Sequence, residues 1–250
     1  MHDDIAALLE LSHEMGREDR DLALLGEGNT SVRLSPTQLA VKASGTRLAS
    51  LTEAEVTVCD TGRLVTLLDK KSLPDAVVEK ALLEARLDPN AKKPSIEAMF
   101  HAWLLTLEGV RFIGHCHPTS VNQILCSPRA RDFAELRMFP DEIVFCGAAS
   151  VYVPYADPGL ALAWQIRERT KDFIRDHGNV PKLILLQNHG VIALGGSPRS
   201  VLSCLLMADK AARIFAGAAA MGGPTFLLPQ HVERITTRPD EAYRQGQLSI

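Results

Sequence analysis

Apolar residues recur along the chain at two periods. Ile5, Leu8, Leu9, Leu11 and Met15 share one helical face and predict a helix over 5–19. The stretch from Leu22 to Leu34 (LALLGEGNTSVRL) reads as a glycine-rich turn in strand-like surroundings, and 39–43 (LAVKA) as a strand ended by Ser44-Gly45-Thr46. Residues 56–60 and 64–67 flank Thr61-Gly62-Arg63 and predict a hairpin. Helical spacing covers 75–87, and a second helix begins at Pro94-Ser95 and runs through Ile96, Glu97, Phe100 and Trp103. A strand over 110–116 (VRFIGHC) stops at Pro118, and Thr119 opens a helix to about Cys126. Further strand material is expected in 143–153, a helix over 160–176, a buried strand at 183–186 (LILL) and another at 191–194. Ser197 is placed as an N-cap, with Pro198 at the first helical position of a helix reaching about Met221.

Helices and strands are interspersed, but several strands are joined by hairpin-length turns. That predicts a mixed or antiparallel sheet with helices on its faces rather than a strict βαβ array. The Gly/Pro-flavoured stretch from Met221 to Pro229 sets the expected division: one domain over 1–222, then a tail over 223–250 packing on a neighbouring subunit.

Composition narrows the function classes. The 250 residues carry 27 Lys plus Arg against 30 Asp plus Glu, a formal charge of −3, which argues against nucleic acid as a partner. Apolar residues are 46% and charged residues 23%, as in an ordinary globular chain with its own core. No apolar run reaches the ~18 residues of a membrane span, and the acidic start, Met1-His2-Asp3-Asp4, does not read as a secretory signal. Five cysteines, an odd number with no C-x-x-C pair, point to reduced thiols of a cytoplasmic protein rather than a disulfide scaffold.

The chemistry lies elsewhere. His115-Cys116-His117 places two imidazoles at a strand end, and a period of two puts both on one face, where they can share a metal ion. By itself an H-x-H pair equally fits histidines satisfied by backbone. His189, in Gln187-Asn188-His189-Gly190 after the apolar strand, offers a third imidazole and an open fourth position. Glu97 sits in the first turn of its helix, a place where a carboxylate also simply complements the helix dipole, and His101 four residues on reads as its helix-face partner. His2, His13, His177 and His231 stand among polar residues and read as solvated.

Gly26-Glu27-Gly28-Asn29-Thr30-Ser31 lacks the third glycine of a dinucleotide fingerprint, so a Rossmann site is rejected. What remains is a turn with exposed N–H groups, of the kind that cradles phosphate or carboxylate; Ser44-Gly45-Thr46 and Ser95 offer similar chemistry.

In order, the chain shows GEGNTSVRL (26–34), KASGTRL (42–48), PSIEAMFHAWL (94–104), HCHPTSV (115–121), PYADPG (154–159) and QNHGVIALG (187–195). Over about residues 5–220 this series resembles the class II aldolase/adducin family, the family of fuculose- and rhamnulose-phosphate aldolases. The nearest likeness is to the aldolase half of rhamnulose-phosphate aldolase/alcohol dehydrogenase fusions, without the dehydrogenase half. The resemblance implies a three-layer α/β/α sandwich around a mostly antiparallel central sheet. It implies Zn²⁺, or another divalent transition metal, on His115, His117 and His189, with Glu97 as the catalytic acid/base. Gly28, Asn29, Ser44, Gly45 and Ser95 would hold the phosphate of a sugar-phosphate or sugar-acid substrate, in a homotetramer with sites between subunits. The implied reaction is C–C cleavage through a metal-stabilised enediolate. Decarboxylation and 4-epimerisation use the same metal chemistry, and the adducin branch uses the fold without catalysis. Two departures stand out. Ile96 replaces a family serine, and 129–140 lacks the tyrosine that donates a proton in fuculose-phosphate aldolases. Tyr155 reads as structural, and Tyr243 lies in the tail.

Overall fold

The computed structural model describes residues 2–248. Its centre is a seven-stranded sheet made of β1 (Asn29–Ser35), β2 (Gln38–Lys42), β3 (Val56–Asp60), β4 (Phe112–Cys116), β5 (Val151–Val153), β6 (Leu183–Leu186) and β7 (Gly190–Gly195). Their spatial order is β3-β2-β1-β4-β7-β6-β5. Every pair is antiparallel except β5–β6, which is parallel.

Helices cover both faces, because alternate residues of each strand are apolar on opposite sides. One core holds Phe112, Cys116, Val191 and Ala193 under α1 (His2–Met15), α5 (Thr119–Leu125), α6 (Ala130–Glu135) and α9 (Pro198–Ala220). The other holds Ile113, Ile184, Ile192 and Leu194 under α2 (Thr61–Leu67), α3 (Asp75–Glu84), α4 (Ala98–Leu104) and α8 (Leu160–His177). The expected three-layer sandwich around a mostly antiparallel sheet is therefore the observed one.

Two expected segments differ. The hairpin over 56–67 is a strand followed by α2. The Asp60 carboxylate accepts the Arg63 N–H at 2.8 Å and caps a helix, and Thr61, Leu64 and Leu68 bury one face at helical spacing. The strand material expected in 143–153 reduces to the three residues of β5. The residues before it form α7 (Pro140–Cys146), with Pro140 in the first turn and Gly147 (φ 85°) ending it. Nothing in the sequence reading anticipated α6. The helix at Pro94-Ser95 starts later than expected, at Ala98, which leaves Glu97 as its N-cap residue.

After α9 the chain turns back on itself. Phe226 packs on the first core, and the Leu227 N–H donates to the Arg137 carbonyl at 2.8 Å. Next, α10 (Pro229–Thr236) lies against α7, and α11 (Pro239–Leu248) follows. The first half of the expected subunit-spanning tail thus packs on its own chain. Among the described residues no helix is long and apolar enough to cross a membrane.

Candidate metal centre

Strand register assembles the site. Asn29 of β1 pairs with His115 of β4, and His115 pairs with Ile192 of β7. His115 shares its sheet face with Ile113, so its ring points toward α4, where Phe100 packs edge-on against it with centroids 5.8 Å apart. His117 lies one residue past the strand end. The β6–β7 turn supplies His189, and Asn188 before it adopts a left-handed conformation (φ 56°), which asparagine tolerates. Helix α5 anchors that turn: the Asn122 amide donates to the His189 carbonyl at 3.0 Å, and the Asn188 N–H to the Leu125 carbonyl at 3.2 Å.

The three imidazoles converge, with centroid separations of 4.8, 5.1 and 5.0 Å and one ligand atom from each within 4.8 Å of the others. His115 Nε2 and His117 Nε2 are 3.0 Å apart. Glu97 completes the group: Oε2 is 3.4 Å from His115 Nε2, and Oε1 is 3.4 Å from His189 Nε2. His115 Nδ1 lies 3.0 Å from the Val191 carbonyl, which can only accept, so the proton resides on Nδ1 and Nε2 presents a lone pair. Burial, reinforced by His189, pushes His115 down to about 3, and burial beside His115 does the same for His117. Both rings are therefore neutral near pH 7, the state a metal requires. Lone pairs and a carboxylate packed this closely are a donor set that could hold a divalent cation. Three histidines and a carboxylate suit zinc, manganese and cobalt alike.

Two glycines make room for it. A Cβ on Gly190 would lie 2.5 Å from the Cys116 carbonyl oxygen and 2.5 Å from His117 Cδ2. Gly28 has φ 69°, and a Cβ there would lie 2.5 Å from the His115 carbonyl oxygen.

The residues expected to hold phosphate also meet. An isolated bridge between Ala43 and Pro94 lays the Ser44-Gly45 turn beside Ser95. The Ser44 N–H donates to the Lys93 carbonyl at 2.9 Å and the Ser95 N–H to the Lys42 carbonyl at 3.4 Å, so both backbone donors already have protein partners. The Asn29 amide nitrogen donates to Glu97 Oε2 at 2.6 Å and to Ser95 Oγ at 3.3 Å. Ile96 is exposed.

Two residues near the site differ from the sequence expectation, Lys42 because it had no assigned role and His101 because its role was another. Lys42 is buried with its ammonium 3.5 Å from the Gly26 carbonyl; burial pulls its pKa down while Glu97 and Glu55 pull it up. A lysine inside an otherwise apolar strand, LAVKA, was the available signal. His101 does not pair with Glu97 along the helix face. It is fully buried between Ser31 and Asn29, and burial pushes it down to about 3. His2, His13, His177 and His231 are exposed, as expected. None of the three tyrosines is placed among the contacts of the cluster: the Tyr155 hydroxyl donates to Asp157 at 3.0 Å, Tyr152 packs under Arg131, and Tyr243 is exposed on α11.

A three-histidine cluster with an adjoining carboxylate, at one end of a sheet between two helical layers, defines a candidate metalloenzyme. The chain belongs to the class II aldolase and adducin N-terminal domain family, whose model matches residues 6–216. An L-fuculose 1-phosphate aldolase shares the fold at 18% identity, with a TM-score of 0.70 over 94% of this chain and 95% of the other. The N-terminal class II aldolase domain of a conserved protein from Thermoplasma acidophilum matches at 23% identity and a TM-score of 0.68, covering 85% of this chain and 93% of that one. YgbL from Klebsiella pneumoniae, a putative aldolase/epimerase/decarboxylase, matches at 18% identity and a TM-score of 0.69, covering 94% and 98%. In sequence, the uncharacterized oxidoreductase YuxG of Bacillus subtilis (strain 168) is 26% identical over 185 residues, which are 71% of this chain and 24% of YuxG. The chain thus spans about a quarter of that relative's length.

Proposed function

We propose that this protein is a metal-dependent lyase of the aldolase type, cleaving a C–C bond in a sugar phosphate or a related ketose or sugar acid. The convergence of His115, His117 and His189, with the Glu97 carboxylate against two of them, carries this reading. A divalent metal, zinc in the first instance, would supply Lewis-acid polarisation of a substrate carbonyl and its neighbouring hydroxyl. Each of the two Glu97 oxygens lies 3.4 Å from an imidazole of the cluster, which suits the carboxylate to hold and return the substrate proton as general acid/base. Gly28, Asn29, Ser44, Gly45 and Ser95 would line the subsite for the substrate's anionic end, with the Ser44 hydroxyl and the Gly45 N–H as its direct donors. A cytoplasmic homotetramer, in which residues of the 223–250 tail such as Tyr243 meet a neighbouring subunit, completes the reading.

A second reading has its own support. No tyrosine hydroxyl is seen at the cluster, and two backbone donors of the anion turn are committed to carbonyls. Both favour a reaction that needs no aldehyde-protonating tyrosine and leans less on phosphate, such as decarboxylation or 4-epimerisation of a sugar acid or its phosphate.

The test begins with elemental analysis of untagged protein purified without chelator. About one equivalent of Zn²⁺, Mn²⁺ or Co²⁺ per chain is expected, lost in His115→Ala. Product analysis on ketose 1-phosphates and sugar acids then separates aldol cleavage from the second reading. Folded protein that binds no metal and stays inert with added zinc would overturn both, in favour of an adducin-like binding module.

A further inference from the structure

Glu97 is held by a line of buried groups that runs away from the metal ligands. Ser31 Oγ lies 2.6 Å from His101 Nδ1, His101 Nε2 bonds Asn29 Oδ1, and Asn29 Nδ2 lies 2.6 Å from Glu97 Oε2. Ser31 and His101 are fully buried, and Asn29 is 3% exposed. The direction of every bond follows from the chemistry of the groups. A carboxylate only accepts, so Asn29 turns its NH₂ toward Glu97. Its Oδ1 then faces His101 and only accepts, so the imidazole carries its proton on Nε2. Nδ1 is left with a lone pair, and the Ser31 hydroxyl donates to it.

Strand and helix geometry places these groups together. Asn29 and Ser31 stand two apart on β1 and share the face toward α4; His101 lies four residues beyond Glu97, one turn along. The side chain opposite Asn29 across the ladder is His115. Phe100 stacks on the His101 ring at 4.6 Å and meets His115 edge-on, so the imidazole is clamped in plane.

We propose that His101 is the positioning residue of Glu97: by donating from Nε2 it orients the Asn29 amide, so that an N–H rather than a carbonyl oxygen meets the Glu97 carboxylate. Without it the buried Oδ1 is left with no donor, and the amide loses the anchor that fixes its N–H on the Glu97 carboxylate. Glu97 then swings off its place beside His115 and His189. This role for His101 rests on Glu97 acting as proposed above, but the orientation of Asn29 is a separate physical claim.

Two measurements decide it. In the ¹H–¹⁵N spectra of labelled protein, His101 should show the Nε2–H tautomer, and the Asn29 side-chain amide should be slow to exchange. His101→Leu removes the donor, His101→Gln restores an N–H near the Nε2 position, and Ser31→Ala removes the hydroxyl that anchors the imidazole at Nδ1 with little change of volume. Fast exchange of the Asn29 amide is expected in His101→Leu and Ser31→Ala, with protection regained in His101→Gln. On a substrate the protein cleaves, kcat should fall about 10–100-fold in His101→Leu, with KM and metal content near wild type, and His101→Gln should recover most of it. Should His101→Leu fail to fold, Ser31→Ala carries the same test, with an expected loss of about tenfold in kcat. An Asn29 amide that stays protected in folded variants, an Nδ1–H tautomer, or a wild-type kcat would overturn the proposal. If the wild type turns over no substrate, the lyase reading fails while the amide exchange still decides the orientation of Asn29.

Discussion

A single methyl group at residue 190 should disable the metal centre. In Gly190→Ala the new Cβ would sit 2.5 Å from the Cys116 carbonyl oxygen, 2.5 Å from His117 Cδ2 and 3.3 Å from His115 Cε1. Ordinary contact begins near 3.4 Å, so two overlaps of about 0.9 Å arise at once. The carbonyl has little freedom to retreat, because Cys116 pairs with Val191 in the β4–β7 ladder. His117 is the softer partner and must move, and a ligand displaced by such an amount no longer meets the ion with its two neighbours. Overpacking of this kind costs about 1–3 kcal/mol of stability. Loss of ligand geometry lowers metal affinity by at least the ~10–100-fold seen when supporting residues are removed. The assay is a chelator-competition titration with Zn²⁺, run beside urea unfolding of the metal-free protein. Gly217→Ala is the control, since Gly217 is exposed on α9 with open space at its Cβ. There the exchange should leave metal binding unchanged and stabilise the helix by about 0.5–1 kcal/mol. Wild-type zinc affinity in Gly190→Ala, with stability within about 0.5 kcal/mol, would refute the packing argument.

Two further outcomes concern stability. His101 and His115 are buried with pKa values pushed down to about 3, so on acidification the unfolded chain takes up protons first and the native state loses stability. The loss runs from about pH 6.5 downward and amounts to about 2 kcal/mol for each histidine by pH 5. Urea midpoints of metal-free protein at pH 7.5 and pH 5 measure it, and a flat profile would contradict the burial of neutral imidazoles. Arg137 is 2% exposed and donates to the carbonyls of Gly147, Ala134 and Leu136 and to Ser150 Oγ, with Glu142 at 4.0 Å. Arg137→Met should cost about 3–5 kcal/mol, because it leaves the buried Glu142 carboxylate without its cation and takes the donor from the Gly147 and Leu136 carbonyls; the urea midpoint again reports it.

Much of this was legible in the residue pattern. Strands 183–186 and 190–195 and helices 160–177 and 198–220 stand out by period, and Ser197-Pro198 marks the start of the last of these. The resemblance singled out the three histidines and Glu97, and the fold brings these four residues together. Local signals failed where a cap outweighed a turn. Asp60 capping Arg63 makes a helix from residues that look like a hairpin, and Pro140 opens one where β-branched and aromatic residues suggest a strand.

What the sequence determined was the set of ligand types, their local periods and the elements that carry them, since these depend on neighbours within a turn or a strand. The register of β1 on β4 and of β4 on β7 was decided only by the fold, and with it the placing of Asn29 beside His115 and the room left at Gly190. The same holds for His101. Four residues from Glu97, it reads as a partner along one helix face, yet it is buried against β1 and bonded to Ser31 and Asn29, some 70 residues earlier in the chain. Hydrogen bonds of that span depend on how α4 packs on the sheet, a long-range outcome of burial that no local window contains.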